Sequence, residues 1–183
     1  MRFPKEEFIG KNGIRYTLRS PETEDAEKMI AYLKATAKET EFGLSYPEEM
    51  DFTIQDEENF ITQYNKDPGS IMISAFEGDR LAGNASLCCV MDRQKTLHRA
   101  TFGIAIRKSD WGQGLGEQIL RALIAFAKQA GYELLELEVA SSNTSAIRLY
   151  DKLGFVVYGQ RPCSLKLKSG DYYDELLMVL ELN

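Results

Sequence analysis

The chain has 183 residues, of which 44% are hydrophobic and 27% are charged, and its formal net charge is −6. This composition is typical of one soluble globular domain, and no apolar run approaches the ~20 residues of a membrane span. An acidic chain argues against a general nucleic-acid-binding protein, which should be basic. We therefore expect residues 1–183 to form a single cytoplasmic domain with no nucleic-acid or membrane partner.

The first part of the chain predicts one strand followed by two helices. Residues 14–19 alternate between polar and apolar side chains, as in a half-buried strand. Residues 24–38 carry apolar side chains at helical spacing, directly after the helix-start signal of residues 20–23. Thr53 is placed to cap a shorter helix over residues 57–65. No motif that indicates chemistry occurs in residues 1–70.

The remainder of the chain predicts six more strands and two more helices. The strands cover residues 71–76, 81–91, 99–107, 134–140, 155–158 and 173–180. One helix covers residues 115–130, and a shorter one runs from a cap at Asn143 to residue 152. The resulting order is β-α-α-β-β-β-α-β-α-β-β, which predicts an α/β (α+β) protein.

Three alternating glycines, Gly112, Gly114 and Gly116, lie between a predicted strand and a predicted helix. A helix start leaves backbone N–H groups without partners, and glycine removes the side chains that would keep an anion away from them. The pattern therefore indicates a phosphate or pyrophosphate pocket. Glu117 breaks the dinucleotide-binding fingerprint and also the P-loop pattern. A turn that only joins the strand to the helix remains an alternative.

Two segments of the chain resemble the GNAT family of acyl-CoA-dependent N-acetyltransferases. Residues 111–116 resemble that family's glycine turn, although Trp111 stands where the family often has arginine or glutamine. Residues 143–155 resemble its segment Asn-x-x-Ala-x-x-Leu-Tyr-x-Lys-x-Gly-Phe. Leu137-Glu138-Val139 is similar to the ribosomal-protein alanine acetyltransferases within the family.

The resemblance implies a mixed, mostly antiparallel sheet of about seven strands with helices on both faces. It also implies transfer of an acetyl group from acetyl-CoA to a primary amine by direct attack in a ternary complex. The acceptor is then a small molecule, a peptide N-terminus or a lysine, and no metal is needed. The residues implied in cofactor binding are Ile104, Ile106, Gly112, Gln113, Gly114, Leu115, Gly116, Glu117 and Asn143.

Acetyl transfer needs a base for the ammonium group and an acid for the departing thiolate. Tyr150 matches the family tyrosine implied as the acid, and Glu138 matches a glutamate implied as the base. Proton relay through water is the alternative to Glu138. His98 is a weaker candidate for the base. The three cysteines are expected to be free, buried thiols, with an acyl-enzyme role a weaker alternative.

The family builds its acceptor site mainly from the regions that correspond here to residues 24–66 and 156–175. Acidic and aromatic side chains in these segments suit a cationic amine such as a polyamine, an aminoglycoside or a peptide N-terminus: Glu39, Glu41, Glu48, Glu49, Asp51, Tyr46, Tyr172 and Tyr173. Two other functions remain open, a non-catalytic acyl-CoA sensor and a nucleotide-dependent protein of another type. An exposed final strand would allow a homodimer.

Overall fold

The computed structural model describes residues 2–182, which form eight strands and four α-helices. The strands are β1 (Glu6–Ile9), β2 (Arg15–Arg19), β3 (Ile71–Glu77), β4 (Arg80–Cys89), β5 (Arg99–Ile106), β6 (Leu134–Ala140), β7 (Val156–Lys166) and β8 (Tyr172–Glu181). The helices are α1 (Ala26–Glu39), α2 (Ile54–Lys66), α3 (Leu115–Gln129) and α4 (Thr144–Lys152). The predicted α+β class and the order of elements are confirmed, with one additional strand.

All eight strands join one mixed sheet in the order β1-β2-β3-β4-β5-β6-β8-β7. Only the β5–β6 pair is parallel among the described strands, so the sheet is mostly antiparallel, as predicted. The additional strand, β1, pairs with β2 from Glu6 opposite Leu18 to Ile9 opposite Arg15. Its four residues, two glutamates followed by two apolar residues, show no alternating pattern.

The expectation that the final strand lies exposed at an edge is wrong. β8 lies between β6 and β7 and pairs antiparallel with both, so its two backbone edges are occupied. The edge strand on this side is β7, which extends to Lys166, well beyond the predicted residues 155–158. The other edge of the sheet is β1.

Helices cover both faces of the sheet, as expected. The larger core lies under α3 and α4, where α3 buries Leu115, Ile119 and Leu123 at helical spacing. The smaller core lies under α1 and α2, where Met29 and Tyr32 pack against β3. Alternate residues of β3 and β4 therefore serve opposite cores, because successive side chains of a strand point to opposite faces.

Local signals explain where several elements begin. Thr53 accepts a hydrogen bond from the Asp56 N–H, and the Asp56 carboxylate accepts one from the Thr53 N–H, which closes a capping box before α2. Cys88 and Cys89 are half-buried on β4, whereas Cys163 is exposed, so the expectation of a buried thiol is wrong there. Within residues 2–182, no helix is long and apolar enough to cross a membrane.

Candidate active site

Strands β5 and β6 pair over a short distance and then diverge. Their parallel register begins at Arg99 and ends where Thr101 lies opposite Glu136. Beyond this point β6 stays paired with β8 as far as Ala140, and β5 stays paired with β4 as far as Ile106. An open gap therefore lies between the C-terminal parts of β5 and β6, in the interior of the sheet.

The peptide groups of Ile104 and Ile106 face this gap. The Ala105 carbonyl between them points to the other edge of β5, where the Tyr32 hydroxyl donates to it at 2.6 Å. The same hydroxyl accepts a hydrogen bond from the Asn84 N–H at 3.0 Å, so it lies between β4 and β5. Neighbouring residues of a strand direct their peptide groups to opposite edges. Ile104 and Ile106, which are predicted to bind the cofactor, therefore direct their backbone groups into the gap.

Trp111 occupies the position where the family often has arginine or glutamine. Its side chain is exposed, and its indole Nε1 donates a hydrogen bond to the Ile106 carbonyl at 2.8 Å. The Ile106 carbonyl is therefore already hydrogen-bonded. The Ile104 carbonyl is the group that remains to accept a hydrogen bond from a ligand in the gap.

The glycine turn continues from β5 into the start of α3. Gly112 and Gly114 have φ of 74° and 86°, a backbone conformation that side-chain-bearing residues rarely adopt. Within residues 2–182, the N–H groups of positions 112–117 donate no hydrogen bond. No described atom lies within 4 Å of where a Gly112 Cβ would stand. Free donors at the positive end of a helix dipole are suited to binding an anion.

The β1–β2 connection fastens this turn from one side. The Lys11 N–H donates to the Gln113 carbonyl at 3.2 Å, and the Asn12 N–H donates to Gln113 Oε1 at 2.9 Å. Both acceptor groups of Gln113 are therefore occupied by protein. Its main-chain N–H is the group that remains for a ligand, which agrees with the prediction of backbone recognition.

Asp110 lies just before the glycine turn and holds it in place, a role that no sequence pattern indicated. Its carboxylate is 2% exposed and accepts hydrogen bonds from the Tyr16 hydroxyl at 2.9 Å and from two Arg80 nitrogens at 2.7 and 2.9 Å. Burial alone would raise the pKa of Asp110, but the hydrogen bonds from Arg80, Ser109 and Tyr16 lower it overall. Its partners come from β2 and β4, so only the folded chain brings them together.

Gly116 and Glu117 lie in the first turn of α3. A Cβ at Gly116 would stand 3.1 Å from both Ile106 Cδ1 and Leu149 Cδ2, so glycine allows α3 to approach β5 and α4 closely. The Glu117 carboxylate accepts hydrogen bonds from Lys152 at 2.5 Å and from Arg121 at 2.8 Å. Its side chain is thus engaged with α3 and α4, and its N–H is the group predicted to contact the cofactor.

Helix α4 brings Asn143 and Tyr150 to the same side of the sheet as α3. The Asn143 side chain accepts a hydrogen bond from the Ala146 N–H at 3.2 Å, which confirms its capping role. The Tyr150 ring packs edge-on against Phe102 of β5 and against Phe155. Burial raises the pKa of Tyr150 to about 12, and no described group hydrogen-bonds its hydroxyl. The hydroxyl therefore keeps its proton at neutral pH.

Glu138 lies on the other face of the sheet, where it forms an ion pair. Both terminal nitrogens of Arg161 donate to its carboxylate, at 2.8 and 2.9 Å, and Arg161 also binds Glu175 at 2.9 Å. The hydrogen bonds from Arg161 lower the pKa of Glu138. A carboxylate with a lowered pKa is a weaker proton acceptor, so the base role predicted for Glu138 requires this pair to open.

Several acidic groups predicted at the acceptor site already have protein partners. The Glu39 carboxylate accepts from the Lys108 N–H at 2.7 Å, Glu48 pairs with Lys168, and Glu49 caps the turn at Tyr46. These carboxylates stabilise loops in the described structure. Among residues 2–182, Glu41 and Asp51 accept no such hydrogen bond, and neither does Glu57, a buried acidic residue of α2 that no sequence pattern indicated.

The weaker candidates lie away from the turn or lack partners. His98 immediately precedes β5, at the end of the strand opposite the glycine turn. Among residues 2–182, no three side chains of histidine, cysteine, aspartate or glutamate are grouped to hold a metal ion.

Comparison with known families is decisive at this point. The model of the Acetyltransferase (GNAT) family matches residues 29–155. The chain belongs to this family. The match includes the β5–β6 gap, the glycine turn and α4, so the resemblance found in the sequence is confirmed.

Solved structures show that the fold of this GNAT protein is shared widely. An acetyltransferase of the GNAT family from Streptococcus pneumoniae is 28% identical, with a TM-score of 0.86 over 91% of this chain and 99% of that one. The protein yncA from Salmonella typhimurium, solved with its cofactor acetyl-CoA, is 21% identical, with a TM-score of 0.80 over 92% and 94% of the two chains. The predicted fold class is therefore confirmed.

Curated relatives include several acetyltransferases. The [ribosomal protein bS18]-alanine N-acetyltransferase of Escherichia coli is 39% identical over 77 residues, which are 42% of this chain and 52% of that protein. The expected similarity to this branch of the GNAT family is confirmed. The chain spans about half the length of the curated relatives it matches.

Proposed function

We propose that this GNAT protein transfers an acetyl group from acetyl-CoA to a primary amine by direct attack in a ternary complex. The observation that carries the proposal is the β5–β6 gap with the unpaired N–H groups of positions 112–117 at its end. A gap edged by free strand groups suits an extended arm, and the amides suit a diphosphate. We propose that residues 1–183 act as one acetyltransferase domain.

The glycine turn fits the cofactor that the family uses. The turn has no side chain at Gly112 or Gly114, and the space beside Gly112 is open. We propose that the N–H groups of Gly112, Gln113, Gly114, Leu115, Gly116 and Glu117 hold the diphosphate, that Ile104 and Ile106 pair with the pantetheine arm, and that Asn143 contacts the cofactor near α4. Bound acetyl-CoA supplies an acetyl group activated as a thioester.

Two proton transfers then involve residues of the chain. An alkylammonium group has a pKa of about 10.4, so the acceptor must lose a proton before it can attack. We propose Glu138, directly or through water, as the group that accepts this proton. Tyr150 holds a proton for the departing thiolate, whose conjugate thiol has a pKa of about 8.5. The Tyr150 hydroxyl is protonated at neutral pH, so a proton is available at the start of each cycle.

Two assays test this proposal. Calorimetry with CoA, ATP and NAD should show binding of CoA alone, because the turn lacks the dinucleotide and P-loop residues. A thiol-detecting assay with acetyl-CoA and a panel of primary amines should show amine-dependent release of CoA. Binding of NAD or ATP in preference to CoA would overturn the cofactor assignment.

One observation favours the second candidate, an acyl-CoA sensor without catalysis. The ion pair with Arg161 leaves Glu138 a weak base. A sensor would bind CoA tightly and release no thiol with any amine on the panel. Amine-dependent thiol release at a rate above that of the uncatalysed reaction would exclude the sensor.

A further inference from the structure

A cavity of about 470 Å³ lies between α1, α2 and the sheet, on the face opposite α3. Its walls are mainly apolar and come from four separate parts of the chain: Met29, Leu33, Phe52, Phe60 and Met72. This volume falls in the range of small-molecule sites, which combine apolar walls with a few polar groups. The cavity is therefore large enough for an organic molecule.

Glu57 is the buried charged group of this cavity. Its side chain belongs to the cavity lining and the residue is only 6% exposed. No described residue donates a hydrogen bond to its carboxyl group, whose oxygens are nonetheless not sealed within the protein. Oδ2 of the adjacent Asp56, by contrast, already accepts hydrogen bonds from the Thr53 N–H and hydroxyl. A buried carboxyl group without a partner is costly unless a ligand provides one.

The charge of the cavity favours a cation. Asp56 and Glu57 are its ionisable lining residues, and both are acidic. Burial raises the pKa of Glu57, which means that the surroundings do not stabilise its charged form. An ammonium group next to Glu57 would supply the missing counter-charge. A ligand carboxylate in the same place would meet two groups of its own sign.

The cavity also adjoins the face from which an acceptor would reach the β5–β6 gap. Asn84 and Ser86 form its floor on β4, and their partners on β5 are Ala105 and Gly103. Gly103 is exposed, and no described atom lies within 4 Å of the place where its Cβ would be. Strands lie about 4.8 Å apart. A molecule in the cavity is therefore separated from the gap by about the width of one strand, β5, at the exposed Gly103.

Resting on the proposed function, we infer that this cavity binds the acceptor, and that the acceptor is an organic ammonium ion with an apolar body and no carboxylate beside its amine. Glu57 is the counter-ion of the ammonium group, and the apolar walls enclose the hydrocarbon body. This assignment separates the chain from acetyltransferases whose acceptors are free amino acids.

The test is calorimetric binding of three probes of similar size, hexylamine, hexan-1-ol and norleucine, to the full chain with CoA present. We expect hexylamine to bind at least about tenfold more tightly than the other two, because only hexylamine combines a positive net charge with an apolar chain. Glu57→Gln should weaken hexylamine binding at least about tenfold. Glu58→Gln removes the same charge from the next residue, which is outside the cavity, and should leave binding unchanged.

A second measurement does not depend on a variant that must fold. The methyl resonances of Met29 and Met72, both in the cavity wall, should shift as hexylamine is added to the wild-type protein. That of Met178, which is buried in the core under α3, should not. Equal binding of norleucine, equal binding to Glu57→Gln, or unshifted Met29 and Met72 would each overturn the inference. If CoA itself did not bind, the proposed function would be overturned instead. The cavity would then be tested by titrating hexylamine without CoA.

Discussion

The two sides of the proposed reaction are built in different ways. The transfer side consists of residues 104–117 and 143–155, two nearly continuous runs that form the gap edge, the glycine turn and α4. It offers a ligand mainly backbone N–H and carbonyl groups. The acceptor cavity is lined instead by side chains from α1, the segment before α2, α2 itself, β3 and β4. It offers a ligand apolar surface and one buried carboxyl group.

This difference assigns a separate task to each side. Backbone groups have the same chemistry in every chain, so the transfer side is suited to a cofactor that all members of a family share. Side chains can vary without disturbing the sheet, so the acceptor cavity is suited to selecting one amine from many. Variants on the transfer side should therefore alter cofactor binding or turnover, whereas variants in the cavity should alter acceptor choice.

The largest effect is expected at Tyr150. Tyr150→Phe removes the proposed acid, so kcat should fall about 100-fold while the Kd for acetyl-CoA stays within about twofold. Tyr132→Phe is the matched control, since Tyr132 is also buried and its hydroxyl donates to the Gly69 carbonyl, away from the gap. Steady-state kinetics and calorimetry on both variants provide the measurement. Equal kcat values for Tyr150→Phe and wild type would remove Tyr150 from the mechanism.

The next largest effect is expected at Asp110, which fastens the glycine turn. Asp110→Asn should lower the free energy of unfolding by about 2 kcal/mol at neutral pH, because hydrogen bonds to a buried charge are lost. Folding lowers the pKa of Asp110, so its contribution is present above the unfolded value of about 3.9 and disappears as the pH falls through the folded value. Denaturant titrations at several pH values measure this.

The control for Asp110 is Asp25, which forms a similar pair with both terminal nitrogens of Arg19 at the start of α1. Asp25→Asn should cost comparable stability and leave CoA affinity unchanged, whereas Asp110→Asn should weaken CoA binding as well. If the two variants affected CoA equally, the turn would not depend on Asp110.

A smaller effect is expected from a methyl group at the turn. Gly114 and Gly131 lie at opposite ends of α3 with nearly equal φ of 86° and 84°, so alanine introduces the same backbone strain at both. Gly114→Ala should raise the Kd for CoA about tenfold, about 1.4 kcal/mol, and Gly131→Ala should not change it. Calorimetry with CoA on both proteins distinguishes ligand contact from strain alone. Equal losses would mean that the turn acts only through helix stability.

The smallest expected effect concerns the role of Glu138. Arg161→Gln removes the partner that lowers the pKa of Glu138, so the acidic limb of the pH–rate profile should move to higher pH. Arg99→Gln breaks the similar pair with Glu136 on the same strand and should leave the limb in place. An unmoved limb in Arg161→Gln would point to a water relay in place of Glu138.

The two sides also differ in how well the sequence predicted them. The glycine turn, the Asn143 cap and the α3 stripe follow from residues that are close in the chain, and each was predicted within a few positions. β1 was missed because its four residues show no alternating pattern and gain their strand conformation only by pairing with β2. Asp110, Arg161 and Glu57 were missed because their surroundings come from distant segments. Local spacing predicts backbone geometry, but not which buried charge lacks a partner.

The central claim is that free backbone amides of the glycine turn hold the diphosphate of CoA. Amide resonances of positions 112–117 in an isotope-labelled sample, followed during titration with CoA and then with pantetheine, test it most directly. We predict that CoA shifts these resonances, and that pantetheine, which lacks the diphosphate, leaves them in place while it perturbs Ile104. Saturation with CoA that left positions 112–117 unshifted would contradict the account.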